Sequence, residues 1–326
     1  MNYRQLGSAG VRFSEIGLGS YLTIGMSIDQ ETATATIRRA YELGINFFDT
    51  ANAYNRGEAE VTLGKQIKEF RRSSICVASK AWAPMGDWPN DRGLSAKHLS
   101  EQCEASLKRL GVEYLDLYQC HRPDGNTPIE ETVRAMDDLA RSGKILYWGV
   151  SEWPAWLIER ATRVAERMGA RPPVSNQPRY SLMYRQPEME LFQYCRDAGI
   201  GNVVFSPLAH GVLTGKYTPG EKPPAGTRAA DPKQNTVIMN MYWKEELLKK
   251  AKEFASIAGD MGVKPAQLAL AWVLRRTEVT SAIIGATKVS QVEENVAAAD
   301  VSIPEEVVAR LDELFPAPGE TYPLQY

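Results

Sequence analysis

Chemically capable residues end three apolar runs: Phe47-Phe48-Asp49 leads through Thr50-Ala51-Asn52-Ala53 to Tyr54, Val77-Ala78-Ser79 ends on Lys80, and Tyr118-Gln119-Cys120 ends on His121. On neighbouring strands these would bring an acid, a phenol, an amine and an imidazole to one rim. A partly desolvated lysine needs a counter-charge, which Asp49 supplies, and its ammonium is expected to lower the phenol pKa from about 10 towards neutrality. Tyr54 then becomes a usable general acid-base beside a histidine that orients a carbonyl oxygen, a set suited to carbonyl reduction once a hydride donor is bound. Singly, each residue has a plainer reading: Asp49 as a helix cap, Lys80 as a rim charge, Tyr54 and His121 as packed rings. A lysine at a barrel strand end also serves Schiff-base aldol chemistry. A barrel that only holds a nucleotide while docking on a partner is a third reading.

The elements that must position these residues follow from alternation. After a hairpin signal turning at Gly7-Ser8-Ala9-Gly10, eight short apolar runs alternate with amphipathic segments: Ile16–Gly19, Ile45–Asp49, Ser74–Lys80, Tyr114–His121, Ile145–Ser151, Val174–Gln177, Asn202–Ser206 and Ala282–Gly285. Thr127-Pro128-Ile129-Glu130 reads as a capping box with proline at the first helical position, and Gly143 closes that helix; Pro154 opens another that ends near Gly169. Eight βα units predict a closed α/β TIM barrel, (β/α)8, with an N-terminal β-hairpin, in one domain over residues 1–326. Two extra helices, Trp243–Met261 and one after Pro304, exceed the minimal barrel, and the irregular stretch Pro207–Met241 reads as a functional lid.

Composition narrows the function classes. The 326 residues are 44% hydrophobic and 24% charged, which excludes disorder and collagen-like structure, and 38 basic against 40 acidic residues leave no positive field to gather nucleic acid. The opening Met1-Asn2-Tyr3-Arg4-Gln5 lacks an apolar signal-peptide region, and no apolar run is long enough to span a bilayer, so a cytoplasmic protein is expected. Cys76, Cys103, Cys120 and Cys195 form no C-x-x-C pair, and His98, His121 and His210 lack ligand spacing, so free thiols and no metal centre are expected.

A hydride donor needs a nucleotide site. Neither Gly17-Leu18-Gly19 nor Gly199-Ile200-Gly201 completes the G-x-G-x-x-G fingerprint. A barrel instead offers an anion site in the loops after strands seven and eight, here Phe205-Ser206-Pro207-Leu208-Ala209-His210-Gly211 and Gly285-Ala286-Thr287-Lys288, with Lys216 and Arg228 as further cations. Tyr21, Trp82, Trp88 and Trp153 lie just past strand ends and are expected to join Tyr54 and His121 in an aromatic substrate cup, over which the tail Pro316–Tyr326 could close.

At these residues the chain resembles the aldo-keto reductase family, in the branch of the voltage-gated potassium-channel β-subunits and their bacterial relatives. The likeness runs from Tyr3-Arg4-Gln5-Leu6-Gly7 to Glu293-Glu294-Asn295 and is most specific in Gly44–Ala51, Ala105–Gly111, Arg122-Pro123-Asp124, Asn126-Thr127-Pro128 and Ser206-Pro207-Leu208. The resemblance implies that Asp49, Tyr54, Lys80 and His121 form a catalytic tetrad reducing aldehydes or ketones with NADPH, Tyr54 giving the proton. It implies that Ser151 and Gln177 hold the nicotinamide carboxamide, with Glu152, Ser20 and Tyr21 nearby, and that Phe205 stacks on the ring. Ser206, Leu208, Gly211 and Lys216 would meet the pyrophosphate; Arg228, Thr287, Lys288, Gln291, Glu294 and Asn295 would surround the adenosine end and its 2′-phosphate, and Pro207, Ala209 and Gly285 are counted among the cofactor contacts. The sequence departs from the family at Glu152, where relatives more often carry Asn or Arg, and at Phe205, where Tyr or Trp is commoner. His121 stands where the channel β-subunits have Asn, which favours a working reductase over a sensor, and no channel-blocking extension precedes the hairpin. By analogy the resemblance implies a homo-oligomer, a tetramer, acting on a small carbonyl substrate.

Overall fold

Cys76–Ala81, Leu115–Cys120 and Val279–Ile284 are buried at every position, as strands are when both faces of a parallel sheet are covered. The computed structural model describes residues 1–319. Its strands are β1 (Tyr3–Gln5), β2 (Arg12–Ser14), β3 (Ile16–Gly19), β4 (Phe47–Asp49), β5 (Cys76–Ala81), β6 (Leu115–Cys120), β7 (Ile145–Ser151), β8 (Ser175–Gln177), β9 (Gly201–Val204) and β10 (Val279–Ile284). β1 and β2 form an antiparallel hairpin, and the other eight close in the order β10-β3-β4-β5-β6-β7-β8-β9. The expected TIM barrel with its hairpin is therefore present. The two extra helices are Glu245–Asp260 and Glu305–Leu314.

Helices cover the outside and bury one face each; on Ile129–Arg141 the buried stripe includes Ile129, Val133, Met136 and Leu139. Inside the barrel Phe47, Ala78, Leu117, Val203 and Ile283 pack with Leu6 and Phe13 of the hairpin. Phe13 and Phe47 stack with centroids 4.2 Å apart, closing the floor. Gly17 makes room for this, because a Cβ there would stand 2.5 Å from the Phe47 ring. Arg4 fastens the hairpin to the last barrel unit by donating to the carbonyls of Leu274, Arg276 and Val279.

Several boundaries differ from expectation, and three of the differences have a clear local reason. β4 starts at Phe47 rather than Ile45 because the Asn46 side chain pairs with the hairpin, accepting from the Ser14 amide at 2.7 Å and donating to the Arg12 carbonyl at 3.0 Å. β10 begins three residues earlier than its apolar run: Thr280 and Ser281 interrupt the apolar pattern, while pairing with β9 starts at Val279 and resumes at Ser281 across a register shift. The capping box does not form: Pro128 is the N-cap, and the Thr127 hydroxyl donates to Asp124 at 2.7 Å instead. The stretch after β9 holds two 3-10 turns and a short helix, Thr236–Met241. No described helix is long and apolar enough to cross a membrane.

Candidate active site

Strand register gathers the reactive groups. Asp49 ends β4 opposite Ala78 of β5, and Lys80 pairs with Gln119 of β6, so acid and amine emerge at the carboxyl end of neighbouring strands. Beyond β4 the chain keeps pairing: the Thr50 amide donates to Ala78 and the Asn52 amide to Lys80. Tyr54 follows as the first residue of a 3-10 turn in which Asn55 and Arg56 have left-handed φ values of 46° and 52°. Non-glycine residues there store backbone strain, which marks a segment held for its geometry.

Lys80, with no exposed surface, donates to Asp49 Oδ2 at 2.5 Å, to the Thr50 carbonyl at 2.8 Å and to the Tyr54 hydroxyl at 3.4 Å. The other carboxylate oxygen of Asp49 accepts from Gln177 at 2.9 Å and from Gln119 at 3.4 Å. The His121 ring meets Tyr54 edge-on at 5.6 Å, and its Nδ1 is buried without a partner among the described residues. Tyr21 leans on Tyr54 from the other side at 5.0 Å.

The electrostatics reverse one expectation. Burial and then the Asp49 carboxylate push the Tyr54 phenol well above its ordinary value, rather than Lys80 drawing it down. The reason is geometric: with Asp49 at 2.5 Å the ammonium presents little net charge to the phenol. Burial also lowers Lys80, against the pull of Asp49. His121 falls well below the usual imidazole value through burial, then through Lys80 and Arg122. At neutral pH the phenol thus carries its proton and the imidazole is uncharged.

The tetrad opens onto a cavity of about 1220 Å³ whose wall includes Tyr21, Tyr54, Trp82 and His121 together with Lys216, Arg228, Thr287, Lys288 and Asn295. Gly211 is also on the wall, with φ of 92°; a Cβ there would stand 2.9 Å from Lys216 Nζ. Burial lowers both Arg228 and Lys216, the latter also through Arg228. Among the described residues neither pairs with a carboxylate.

Residues 15–315 match the model of the Aldo/keto reductase family. The chain belongs to the aldo/keto reductase family. This family membership supports an oxidoreductase. Relatives of this aldo/keto reductase include a "Probable voltage-gated potassium channel subunit beta" of Arabidopsis thaliana, 41% identical over 92% of each chain. A protein of the same description from Oryza sativa subsp. japonica is equally similar. A "Putative voltage-gated potassium channel subunit beta" of Schizosaccharomyces pombe is 39% identical over 96% of this chain and 92% of its own.

In this aldo/keto reductase the cavity wall includes Tyr21, Asp49, Tyr54, Trp82, His121, Gln177, Phe205, Ser206, Pro207, Leu208, Gly211, Lys216, Arg228, Gly285, Thr287, Lys288, Gln291, Glu294 and Asn295. Other expected residues lie off that wall. Lys80 is sealed beneath Tyr54. Ser20 donates to Thr50, Ser151 donates to the Gln177 carbonyl, and Ala209 is fully buried. Glu152, at φ of 57°, accepts from the Arg179 amide at 2.6 Å, so its carboxylate is committed to the neighbouring loop. The aromatic cup is smaller than expected: Trp88 projects into solvent, 77% exposed, and Trp153 is buried in the barrel-helix core. The tail from 320 onward lies outside the described residues.

Wall residues that went unassigned in the sequence include Arg122, Arg179 and His210. Arg122 follows His121 directly and Arg179 stands two past Gln177, so the strand-end rule that found the tetrad reaches them when extended by one or two residues. His210 has no such signal; its left-handed φ of 56° turns the ring between Ser206 and Arg228.

Proposed function

We propose that the protein is an NADPH-dependent carbonyl reductase that converts aldehydes or ketones to alcohols. The observation that carries this reading is the protonated Tyr54 hydroxyl, held by Lys80 at 3.4 Å, on the wall of a groove that also carries Lys216, Arg228 and Lys288. The groove suits a phosphate-bearing nucleotide: Lys216, Arg228 and Lys288 have no carboxylate partner among the described residues, and Gly211 allows close backbone approach. Bound there, NADPH supplies the hydride that adds to the carbonyl carbon. Tyr54 gives its proton to the developing alkoxide oxygen, and Lys80 stabilises the phenolate left behind. Asp49, steadied by Gln177, keeps the amine protonated and aimed. His121, neutral, donates one N–H to the carbonyl oxygen and orients it. Ser151, Gln177 and Phe205 are assigned to the nicotinamide; Ser20, Glu152 and Ala209 support it from behind the wall. Schiff-base chemistry is disfavoured because Lys80 is sealed from the groove and spent on three acceptors. A cytoplasmic homo-oligomer built from one barrel domain fits the subunit names of the relatives.

The test is NADPH oxidation across an aldehyde panel, with NADH and the Tyr54→Phe variant in parallel. Turnover that vanishes in the variant supports the reading. Saturable NADPH binding without turnover of any carbonyl would instead favour a nucleotide-sensing or docking subunit.

A further inference from the structure

Two arginines of the cavity wall form no ion pair with a carboxylate among the described residues. Arg122 and Arg179 both line it, and both lean on the Phe205 ring, at 5.9 Å and 5.7 Å. Arg122 spends Nη1 on the His121 carbonyl at 2.6 Å and the Ser151 hydroxyl at 3.2 Å, both neutral acceptors. Arg179 spends Nη1 on the thioether of Met241, and its Nε is buried with no partner among the described residues. Leaving a buried guanidinium donor unpaired is costly, and a ligand acceptor removes the cost.

The acids of the cavity wall cannot serve. Asp49 is bound to Lys80, Glu294 to Lys264, and Asp231 accepts from the Lys233 amide and from Gln234. Glu152, the nearest candidate in sequence, holds the Arg179 backbone amide. Lys216, Arg228 and Lys288, on the same wall, remain to answer the nucleotide phosphates. Two further cations therefore face the cavity: Arg122, which adjoins His121 in the chain and acts on it and on Tyr54, and Arg179, which shares the Phe205 ring with Arg122.

Resting on the reductase reading, we infer that the physiological substrate is an aldehyde or ketone bearing an anionic group, carboxylate or phosphate, which Arg122 and Arg179 bind while its carbonyl lies against Tyr54. The guanidinium fork matches either anion in bidentate fashion, and Phe205 keeps both side chains from collapsing onto each other.

The experiment compares matched substrates with NADPH: succinic semialdehyde against butyraldehyde for a carboxylate, glycolaldehyde phosphate against glycolaldehyde for a phosphate. Wild-type protein is expected to favour one anionic member by about tenfold or more in kcat/KM, mainly through KM, and the favoured pair identifies the anion. Arg179→Gln is expected to bring that ratio close to one, and Arg179→Lys to restore part of it. A ratio near one in wild type for both pairs, or a ratio unmoved in Arg179→Gln, overturns the inference while leaving the reductase intact. If no carbonyl turns over, calorimetry of succinate and inorganic phosphate on NADP-loaded protein decides: saturable binding lost in Arg179→Gln supports the anion site, and no binding of either overturns it.

Discussion

Lys80 Nζ stands 2.5 Å from Asp49 Oδ2 with neither side chain open to solvent beyond a few per cent, so an ion pair is held inside the barrel mouth. Removing one partner of such a pair strands a buried charge at a cost of about 3–5 kcal/mol, whereas removing both is far milder. Asp49→Asn and Lys80→Met are each expected to lower unfolding free energy by about that amount, and the double variant to recover most of it without recovering turnover. Urea unfolding of the four proteins tests this; additive losses would mean that the pair does not act as a unit.

Tyr54→Phe removes the hydroxyl and little else, since the ring keeps its contacts with Tyr21 and His121. Loss of general-acid assistance is expected to reduce kcat by about 10²–10⁴ while NADPH affinity stays put. Stopped-flow hydride transfer and fluorescence titration separate the two quantities, and a variant with unchanged hydride transfer would remove Tyr54 from the chemistry.

His210 makes stability sensitive to acid. Burial, then Arg228 and Arg179, bring it from the usual 6.5 to about 3. The unfolded chain therefore takes up a proton that the folded one refuses: the contribution is complete above about pH 6.5 and declines as pH falls. Between about pH 7.5 and pH 5.5 the loss amounts to roughly 1.4 kcal/mol. Chemical denaturation of wild type and His210→Asn at those two pH values should show a shallower loss in the variant by about that amount. Equal slopes would contradict the depressed value.

Arg228 is held below its usual range chiefly by burial, and no carboxylate among the described residues answers it. Arg228→Gln is expected to weaken NADPH by about tenfold and NADH by less, if its partner is the 2′-phosphate. Equilibrium titrations with both nucleotides distinguish this from a pyrophosphate role, which would weaken them equally.

The barrel is legible in the sequence because most of its strands are buried on both faces, so several read as short apolar runs, although β8 (Ser175–Gln177) and the start of β10 do not. Asp49, Lys80 and His121 are legible for the same reason: a polar residue ending such a run has one exit, the carboxyl rim. Tertiary partners blurred the rest. Asn46 left the strand for the hairpin, Thr127 left its helix for Asp124, and Trp153, placed by spacing at the mouth, found a deeper home in the core. The direction of the Tyr54 shift was not legible, because it depends on how closely Asp49 cancels Lys80, a distance that residue types do not encode.

The grip of Arg4 on Leu274, Arg276 and Val279 ties the first hairpin to carbonyls as much as 275 residues downstream. At about 5–20 residues per second a ribosome needs on the order of a minute or less to make that interval, and until it does the floor stays unlatched. A nascent chain therefore exposes Phe13 and Phe47 as a sticky end throughout its synthesis.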